Sequence, residues 1–401
     1  MSQNAPAPQS LVFSPADVAA RVDAAQTALA RGLGESVVLA FVGAASAGKD
    51  AGIKALFGVD FGEVDPVPGS TDRLRAVALD TAGQVLVVNA PGFGDLRAEV
   101  AATSQALLHK LDLAVYVVNA DGGATADDKA HLAALRALQR PVLVVLNKID
   151  LIRPHQKEAF VSATFAQLGV EPGDGVVAAF DPLPALSAGP IGLDGVTEWI
   201  VRTLTAQGKA MLFARQLRDK ALACEALIKA AARRSALAGA IPVPGADMAA
   251  VTAVQVQLIT EIAAIYGRRM DRDLALFIVA EALAGSGKGF VRWATNALKT
   301  AGWIPGGQLG EVAASALGAA VSSAATYGVG RAAVSYMEKE SLGLPVSGAD
   351  IRAVFETFAR QARGGGVPGI GAAPAAALAA GAADDVLDAE IETPSPGGAG
   401  R

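Results

Sequence analysis

The stretch that decides the fold is VVLAFVGAASAGKD, residues 37–50. Its first six residues are apolar, which predicts a short buried strand. A loop framed by Gly43 and Gly48 follows, and Lys49 then opens a helix-compatible segment over residues 51–57. Strand, glycine-framed loop, lysine and helix together resemble a phosphate-binding loop of the pattern G-x-x-x-x-G-K-S/T. The alternative interpretation is a fortuitous glycine-rich turn.

The chemistry of this loop follows from its backbone. Gly43 permits a sharp exit from the strand, and Gly48 lets the chain approach a ligand where a Cβ would clash. Backbone N–H groups and the positive end of the next helix converge on an anion, and Lys49 would reach the β- and γ-phosphates. The predicted phosphate-binding residues are Gly43, Ala44, Ala45, Ser46, Ala47, Gly48, Lys49 and Asp50.

The composition limits the number of domains, the class of protein and the cellular compartment that we expect. The 401 residues are 52% hydrophobic and 18% charged, which allows two or three domains with sizeable cores. The net charge of −5 disfavours a protein built mainly to grip nucleic acid, so no strong nucleic-acid signal is expected. The single cysteine, Cys224, excludes an internal disulfide and suits a reducing, cytoplasmic compartment. The three histidines are scattered, and residues 1–10 do not resemble a secretory signal.

Four segments are predicted along the chain. Residues 1–34 form a tail and a helix, which we expect to pack on the next domain. Residues 35–205 alternate apolar strands with helices, which predicts an α/β domain whose mainly parallel sheet is covered by helices on both faces. Residues 206–363 contain no strand pattern and predict an all-helical domain. Residues 364–401 are rich in Ala, Gly and Pro with several acids, which predicts a disordered tail.

A second motif selects the base. The sequence N-K-I-D, residues 147–150, directly follows an apolar strand, at the carboxyl end where open α/β sheets bind ligands. In an N-K-x-D arrangement the carboxylate of Asp150 accepts two hydrogen bonds from guanine N1–H and the 2-amino group, a donor pair that adenine lacks. Asn147 ties this loop to the phosphate loop, and the stem of Lys148 lies along the base. The motif therefore predicts guanine.

Further motifs add a family resemblance. Ser187 and Ala188, after the last predicted strand, match an S-A loop whose backbone contacts guanine O6. With all these motifs, residues 35–205 resemble the G domain of the Era-like, translation-factor-related small GTPases. The resemblance implies that Thr71 lies in the first switch and contacts Mg²⁺ and the γ-phosphate. It also implies that Gly92, in the second switch, offers its N–H to the γ-phosphate.

Two positions depart from the pattern of that group. Asp50 replaces the Ser or Thr that binds Mg²⁺, and Asn89 replaces the Asp of the D-x-P-G second switch. One carboxylate remains, moved to the phosphate loop, and Mg²⁺ prefers oxygen ligands. We expect Asp50, Thr71 and Asn89 to hold the metal, and Lys49, Thr71 and Gly92 to be catalytic. The contrary argument is that a carboxylate beside the phosphates weakens binding unless the metal lies between them.

The helical half opens with a helix predicted over residues 208–237. Small residues recur every four positions over 306–330, which predicts a ridge for close backbone approach, with 238–266 as the partner. Residues 312–330 carry no charge but few large aliphatics, so a buried core is the first interpretation and membrane contact the second. Over about residues 225–340 this half resembles the uncharacterised α-helical domain fused to bacterial GTPases and found in YcjF-type membrane-associated proteins.

Together these features predict a GTP-binding protein that binds GTP/GDP and Mg²⁺. The favoured hypothesis is a regulatory GTPase that hydrolyses GTP to GDP and phosphate, with the helical domain as its readout. The alternative is a nucleotide-binding scaffold without turnover, whose helical domain mediates assembly or membrane association. The expected partners are a guanine nucleotide, an effector or second copy bound through the helical domain, and peripheral contact with the inner membrane.

Overall fold

The computed structural model describes residues 15–60, 75–90, 110–239, 246–270, 272–285 and 308–365. Two predicted switch residues, Thr71 and Gly92, lie outside the described residues. So do residues 366–401 of the predicted tail. The expectations for these positions therefore stay predictions.

The described strands form one sheet of six, in the order β2-β3-β1-β4-β5-β6. Every neighbouring pair is parallel except β2 with β3, which is antiparallel. The mainly parallel sheet is thus confirmed. The strands are β1 (Val37–Val42), β2 (Arg75–Ala78), β3 (Val85–Ala90), β4 (Leu113–Asn119), β5 (Val142–Asn147) and β6 (Gly175–Val177).

Helices cover both faces of this sheet. Successive residues of a strand point to opposite faces. Leu39 and Phe41 of β1 therefore pack towards helices α2 and α5, whereas Val38 and Ala40 pack towards α3 and α4. The described helices up to residue 206 are α1 (Pro15–Leu33), α2 (Lys49–Phe57), α3 (Ala126–Arg136), α4 (Pro154–Leu168) and α5 (Leu193–Ala206).

Every described secondary-structure element after α5 is a helix. The single long helix predicted over 208–237 is wrong, because the chain breaks between α6 and α7. Asp219 explains the restart: its carboxylate accepts the backbone N–H of Ala221 at 2.9 Å and caps the new helix. The helices are α6 (Ala210–Ala214), α7 (Lys220–Gly239), α8 (Ala246–Ile265), α9 (Arg272–Gly285), α10 (Gln308–Ser341) and α11 (Gly348–Gly365).

The small-residue ridge of α10 meets another helix at very short range. A Cβ on Gly318 would lie 2.1 Å from the carbonyl oxygen of Gly239, so the two backbones touch where α7 ends. Helix α10 also packs on α8 and α11. The close approach occurs as expected, but α10 packs more extensively on α7 than on the predicted partner α8. Among the described helices, none combines the length and the apolar character needed to cross a bilayer.

One hydrophobic core joins the two halves. It runs from the sheet through α2, α5 and α6 into α7 and α8, and its members include Phe41, Leu56, Phe213 and Ile228. Helix α1 packs on α8 and α9, which come late in the chain, and the amide of Gln26 donates to the carbonyl of Met270. The expectation that this helix packs on the domain next in sequence therefore needs correction.

Candidate functional site

The glycine-framed loop occupies the carboxyl edge of the sheet between β1 and α2. Gly43 has a φ of 150°, and a Cβ there would lie 2.2 Å from the carbonyl oxygen of Val117 on β4. Gly48 has a φ of 96°, and a Cβ there would lie 2.1 Å from the amide nitrogen of Asn147. Both positions require glycine, for conformation and for space.

Lys49 is held inside this loop. Its side chain is 4% exposed, and its ammonium donates to the carbonyls of Gly43 at 3.0 Å and Ala44 at 2.9 Å. Burial lowers the pKa of Lys49 to about 8, although the neighbouring Asp50 carboxylate acts in the opposite direction. The two carbonyls satisfy donors but supply no full negative charge. A phosphate would therefore form stronger hydrogen bonds with the ammonium than these neutral carbonyls do.

Asn147 joins the predicted phosphate loop to the predicted base loop. It is 1% exposed, and its side-chain amide donates to the carbonyl of Ala47 at 2.8 Å. Its side-chain oxygen accepts the backbone N–H of Phe180 at 3.0 Å. Because both ends of the amide are used, three separate segments are fixed relative to one another.

The base loop follows β5 directly. Lys148 takes the left-handed conformation with a φ of 63°, and Asp150 follows in the short 3-10 turn Ile149–Leu151. The carboxylate of Asp150 accepts the backbone N–H of Leu183 at 3.3 Å. The next loop turns at Ser187, whose hydroxyl donates to the carbonyl of Gly189 at 2.7 Å. The structure thus brings Asp150 close to the loop that carries Ser187 and Ala188.

The predicted metal residues Asp50 and Asn89 contact each other. β3 runs parallel to β1, with Asn89 opposite Phe41, so Asn89 lies at the carboxyl edge beside the loop. Its amide nitrogen donates to the carboxylate of Asp50 in the first turn of α2. The side-chain oxygen of Asn89 is buried, and no described group donates to it. Carboxylate and amide oxygens are ligands that Mg²⁺ prefers, so these residues fit that ion.

One supporting residue was not singled out from the sequence. The ring of Phe180 packs on Gly52 in α2, where a Cβ would lie 2.8 Å from the ring. The contact lets α2 lie close to the segment whose backbone N–H, at Phe180, donates to the side-chain oxygen of Asn147. A glycine inside a predicted helix was the available signal, because glycine weakens a helix unless packing requires it.

The sheet order, the loop between β1 and α2, and the N-K-I-D turn define a P-loop GTPase domain. Residues 38–148 match the family described as 50S ribosome-binding GTPase, and residues 204–362 match a domain of unknown function, DUF697. The chain is therefore an Era-like small GTPase domain fused to a DUF697 helical domain. This confirms the predicted fold class and the resemblance of both halves.

Relatives agree with this assignment. GTPase Der of Stenotrophomonas maltophilia is 32% identical over 177 residues, which cover 43% of this chain and 35% of that protein. GTPase Era of Carboxydothermus hydrogenoformans is 26% identical over 127 residues, covering 30% of this chain and 42% of that protein. The chain thus spans well under half the length of these curated relatives.

Solved structures of similar proteins include a variant of Aquifex aeolicus Era bound to GDP and aluminium fluoride. It is 18% identical, covers 43% of this chain and 67% of its own, and has a TM-score of 0.30. The expectation of no strong nucleic-acid signal gains no support from the comparisons. The matched GTPase family is described as ribosome-binding.

Proposed function

We propose that this protein binds guanine nucleotide and hydrolyses GTP to GDP and phosphate, with Mg²⁺ as cofactor. The observation that carries the proposal is the hydrogen bond from Asn147 to the carbonyl of Ala47. It holds the loop for phosphates and the loop for the base as one preformed site. The match to a GTPase family and the Der and Era relatives support the same activity.

Each predicted residue has a role in this proposal. The loop amides and Lys49 stabilise negative charge on the phosphates, since phosphoryl transfer depends on positioning and electrostatics. Asp150 selects guanine, assisted by the loop that carries Ser187 and Ala188. Mg²⁺, when bound, would neutralise charge on the β- and γ-phosphate oxygens. Asp50 and Asn89 are its proposed ligands, together with Thr71, while Gly92 would donate to the γ-phosphate.

We also propose that the helical domain reads the nucleotide state through α2. Phe57 at the end of α2 packs edge-on against Phe213 of α6, with ring centroids 5.8 Å apart. The backbone N–H of Arg218 donates to the carbonyl of Leu56 at 2.9 Å. A displacement of α2 on nucleotide binding would therefore reach the connection that leads into α7.

Partners of the helical domain are part of the same proposal. A protein effector or a second copy of the chain would bind there, and peripheral membrane contact is the alternative. The 50S ribosomal subunit is a further candidate, because the matched GTPase family is described by that partner. Co-sedimentation of the full chain with ribosomal subunits and with anionic liposomes, each with GDP or a GTP analogue, distinguishes these partners.

The central test is nucleotide selectivity and single-turnover hydrolysis. We expect GTP and GDP to bind far more tightly than adenine or pyrimidine nucleotides, and hydrolysis to require Mg²⁺. Lys49→Ala removes a charge-assisted contact and should weaken binding by about 10- to 100-fold. Asp150→Asn should shift preference from GTP towards XTP. Equal, feeble affinity for all four ribonucleotides in millimolar Mg²⁺ would refute the proposal.

A further inference from the structure

The hydrogen bond between Asp50 and Asn89 fixes the orientation of the Asn89 side-chain amide. An amide nitrogen must face a carboxylate, because an amide oxygen in that place would be repelled. The nitrogen of Asn89 donates to one oxygen of Asp50, so the oxygen of Asn89 points elsewhere. That oxygen is buried, and no described group donates to it. The second carboxylate oxygen of Asp50 likewise has no partner among the described residues.

The corner formed by Asp50 and Asn89 therefore holds two oxygen acceptors to which no described group donates, and the one on Asn89 is buried. A buried acceptor without a donor costs stability, so it is retained where a ligand satisfies it. Both oxygens can ligate Mg²⁺ directly or accept a hydrogen bond from water bound to it. Lys49, the residue before Asp50, directs its ammonium to the carbonyls of Gly43 and Ala44 and does not neutralise this corner by a hydrogen bond.

Only one carboxylate fits at this corner. Two carboxylates in contact would repel each other strongly, and one would have to take up a proton. Two neutral side chains would leave no negative charge for the metal. The position of Asp50, in the first turn of α2, also places its charge at the favourable end of the helix dipole.

We infer that Asp50 and Asn89 are an exchanged pair, in which the metal-binding carboxylate has moved from the end of β3 to the start of α2. Asn89 is the positioning residue: its amide nitrogen orients Asp50, and its oxygen completes the polar corner. This inference rests on the proposed function and deepens it. Its consequence is that the two positions act as a unit. One carboxylate, at either position, is enough to bind the metal, whereas carboxylates at both positions repel each other.

The inference also predicts an unusual dependence on Mg²⁺. Without the metal, the carboxylate of Asp50 repels the phosphates of a nucleotide. With the metal between them, the same carboxylate stabilises the complex. The ratio of nucleotide affinity with Mg²⁺ to affinity in EDTA measures this effect without reference to hydrolysis.

The test is a cycle of isosteric variants: Asp50→Asn, Asn89→Asp and the double variant that carries both changes. A fluorescent GDP analogue is titrated onto each full-length protein in Mg²⁺ and in EDTA. Asp50→Asn should lower the Mg²⁺ enhancement about tenfold, and Asn89→Asp should weaken binding in EDTA about tenfold. The double variant should recover the wild-type enhancement to within about threefold.

Asp60→Asn is the matched control, because it removes a carboxylate near the other end of α2 where Asp60 pairs with Lys54. It should leave the enhancement unchanged. Additive losses in the double variant, or an unchanged enhancement in Asp50→Asn, would overturn the exchanged pair while leaving guanine binding intact. If wild-type protein binds the GDP analogue in neither buffer, the proposed function fails and the exchanged pair fails with it. Thermal melting of each variant separates these effects from unfolding.

Discussion

At the scale of single residues, the candidate site contains a buried cation, the ammonium of Lys49, which can lose its proton near neutral pH. Burial lowers the pKa of Lys49 to about 8, so its ammonium is present below that pH and is lost as the pH rises through it. Two backbone carbonyls accept hydrogen bonds from the ammonium. A bound phosphate would restore the charge, and nucleotide binding should therefore be linked to proton uptake.

This linkage gives a pH prediction. The affinity for GDP should be about tenfold weaker at about pH 9 than at about pH 7, because the free protein must regain a proton to bind. Lys49→Arg, whose guanidinium does not titrate in this range, is the control that should remove the dependence. Fluorescence titration at constant ionic strength measures both proteins. An identical pH profile in wild type and Lys49→Arg would contradict the role of Lys49.

A second residue-scale prediction concerns Gly48. An alanine at this position would place its Cβ against the amide of Asn147, 2.1 Å away, at a φ of 96°. The clash should break the link between the two loops and weaken GDP binding at least about tenfold. Gly83→Ala is the matched control, since Gly83 also has a positive φ, 67°, but a Cβ there meets nothing within 4 Å. If both variants bind GDP alike, steric contact at Gly48 does not matter.

At the scale of elements, the two halves are joined by a buried ion cluster between α5 and α7. Glu198 on α5 accepts from Lys229 at 3.1 Å and from Arg233, both on α7. The side chains of Glu198 and Lys229 are 17% and 10% exposed, so solvent screens the pair weakly. Such a cluster helps to fix the register of the two helices. Removing one of its charged groups lowers the stability of the fold, because the remaining charge stays buried without its partner.

Glu198→Gln should therefore destabilise the full chain by about 3 kcal/mol, because the buried ammonium of Lys229 loses the carboxylate charge to which it donates. Chemical denaturation of the purified protein measures the loss. The exposed pair of Lys54 with Asp60 is the comparison, since its side chains are 57% and 54% exposed. Asp60→Asn should leave the denaturation midpoint almost unchanged. A similar midpoint for the two variants would show that the α5–α7 cluster does not contribute.

The crossing of α7 and α10 gives another prediction at this scale. Gly318→Ala must push the two helices apart, because its Cβ would meet the carbonyl of Gly239 at 2.1 Å. We expect a loss of about 1–3 kcal/mol despite the better helix propensity of alanine. Ala320→Leu adds more volume two residues away on an exposed position of the same helix and should be tolerated. Greater stability in Gly318→Ala would mean that the helices do not touch there.

At the scale of the whole molecule, the GTPase domain and the helical domain share a core. Apolar side chains form one continuous cluster from Phe41 in the sheet, through Phe213, to Ile228 in α7. Asp112 adds a polar link, since its carboxylate accepts from the backbone of Val38 at 2.9 Å and from Lys209 at 2.7 Å. The boundary near residue 205 stays a prediction, and apolar contacts run across it.

This shared core predicts cooperative unfolding. The full chain should unfold in a single calorimetric transition, whereas two separately packed domains would give two. A fragment of residues 35–205 should be poorly soluble, because it exposes the apolar surface that α6 and α7 cover in the full chain. Two resolved transitions in the full chain, or a soluble, nucleotide-binding fragment, would contradict this prediction.

The features of the fold and of the candidate site that could be predicted from the sequence are those that neighbouring residues specify. The sheet, its covering helices and the two nucleotide loops follow from local signals: apolar runs, paired glycines, and short motifs directly after strands. Such signals lie within a few residues of each other, so the sequence alone contains them. The break before α7 was missed because it depends on a single capping residue, Asp219, and on the contact of Arg218 with α2.

By itself, then, the sequence determined a P-loop GTPase fold with a guanine-selecting motif and a helical half. Only the tertiary structure decided that Asn89 orients Asp50, that α1 packs on α8 and α9, and that α5 is tied to α7. The physical reason is that these contacts join residues far apart in sequence. Their partners are selected by shape and charge complementarity across the packed core, which no local periodicity records.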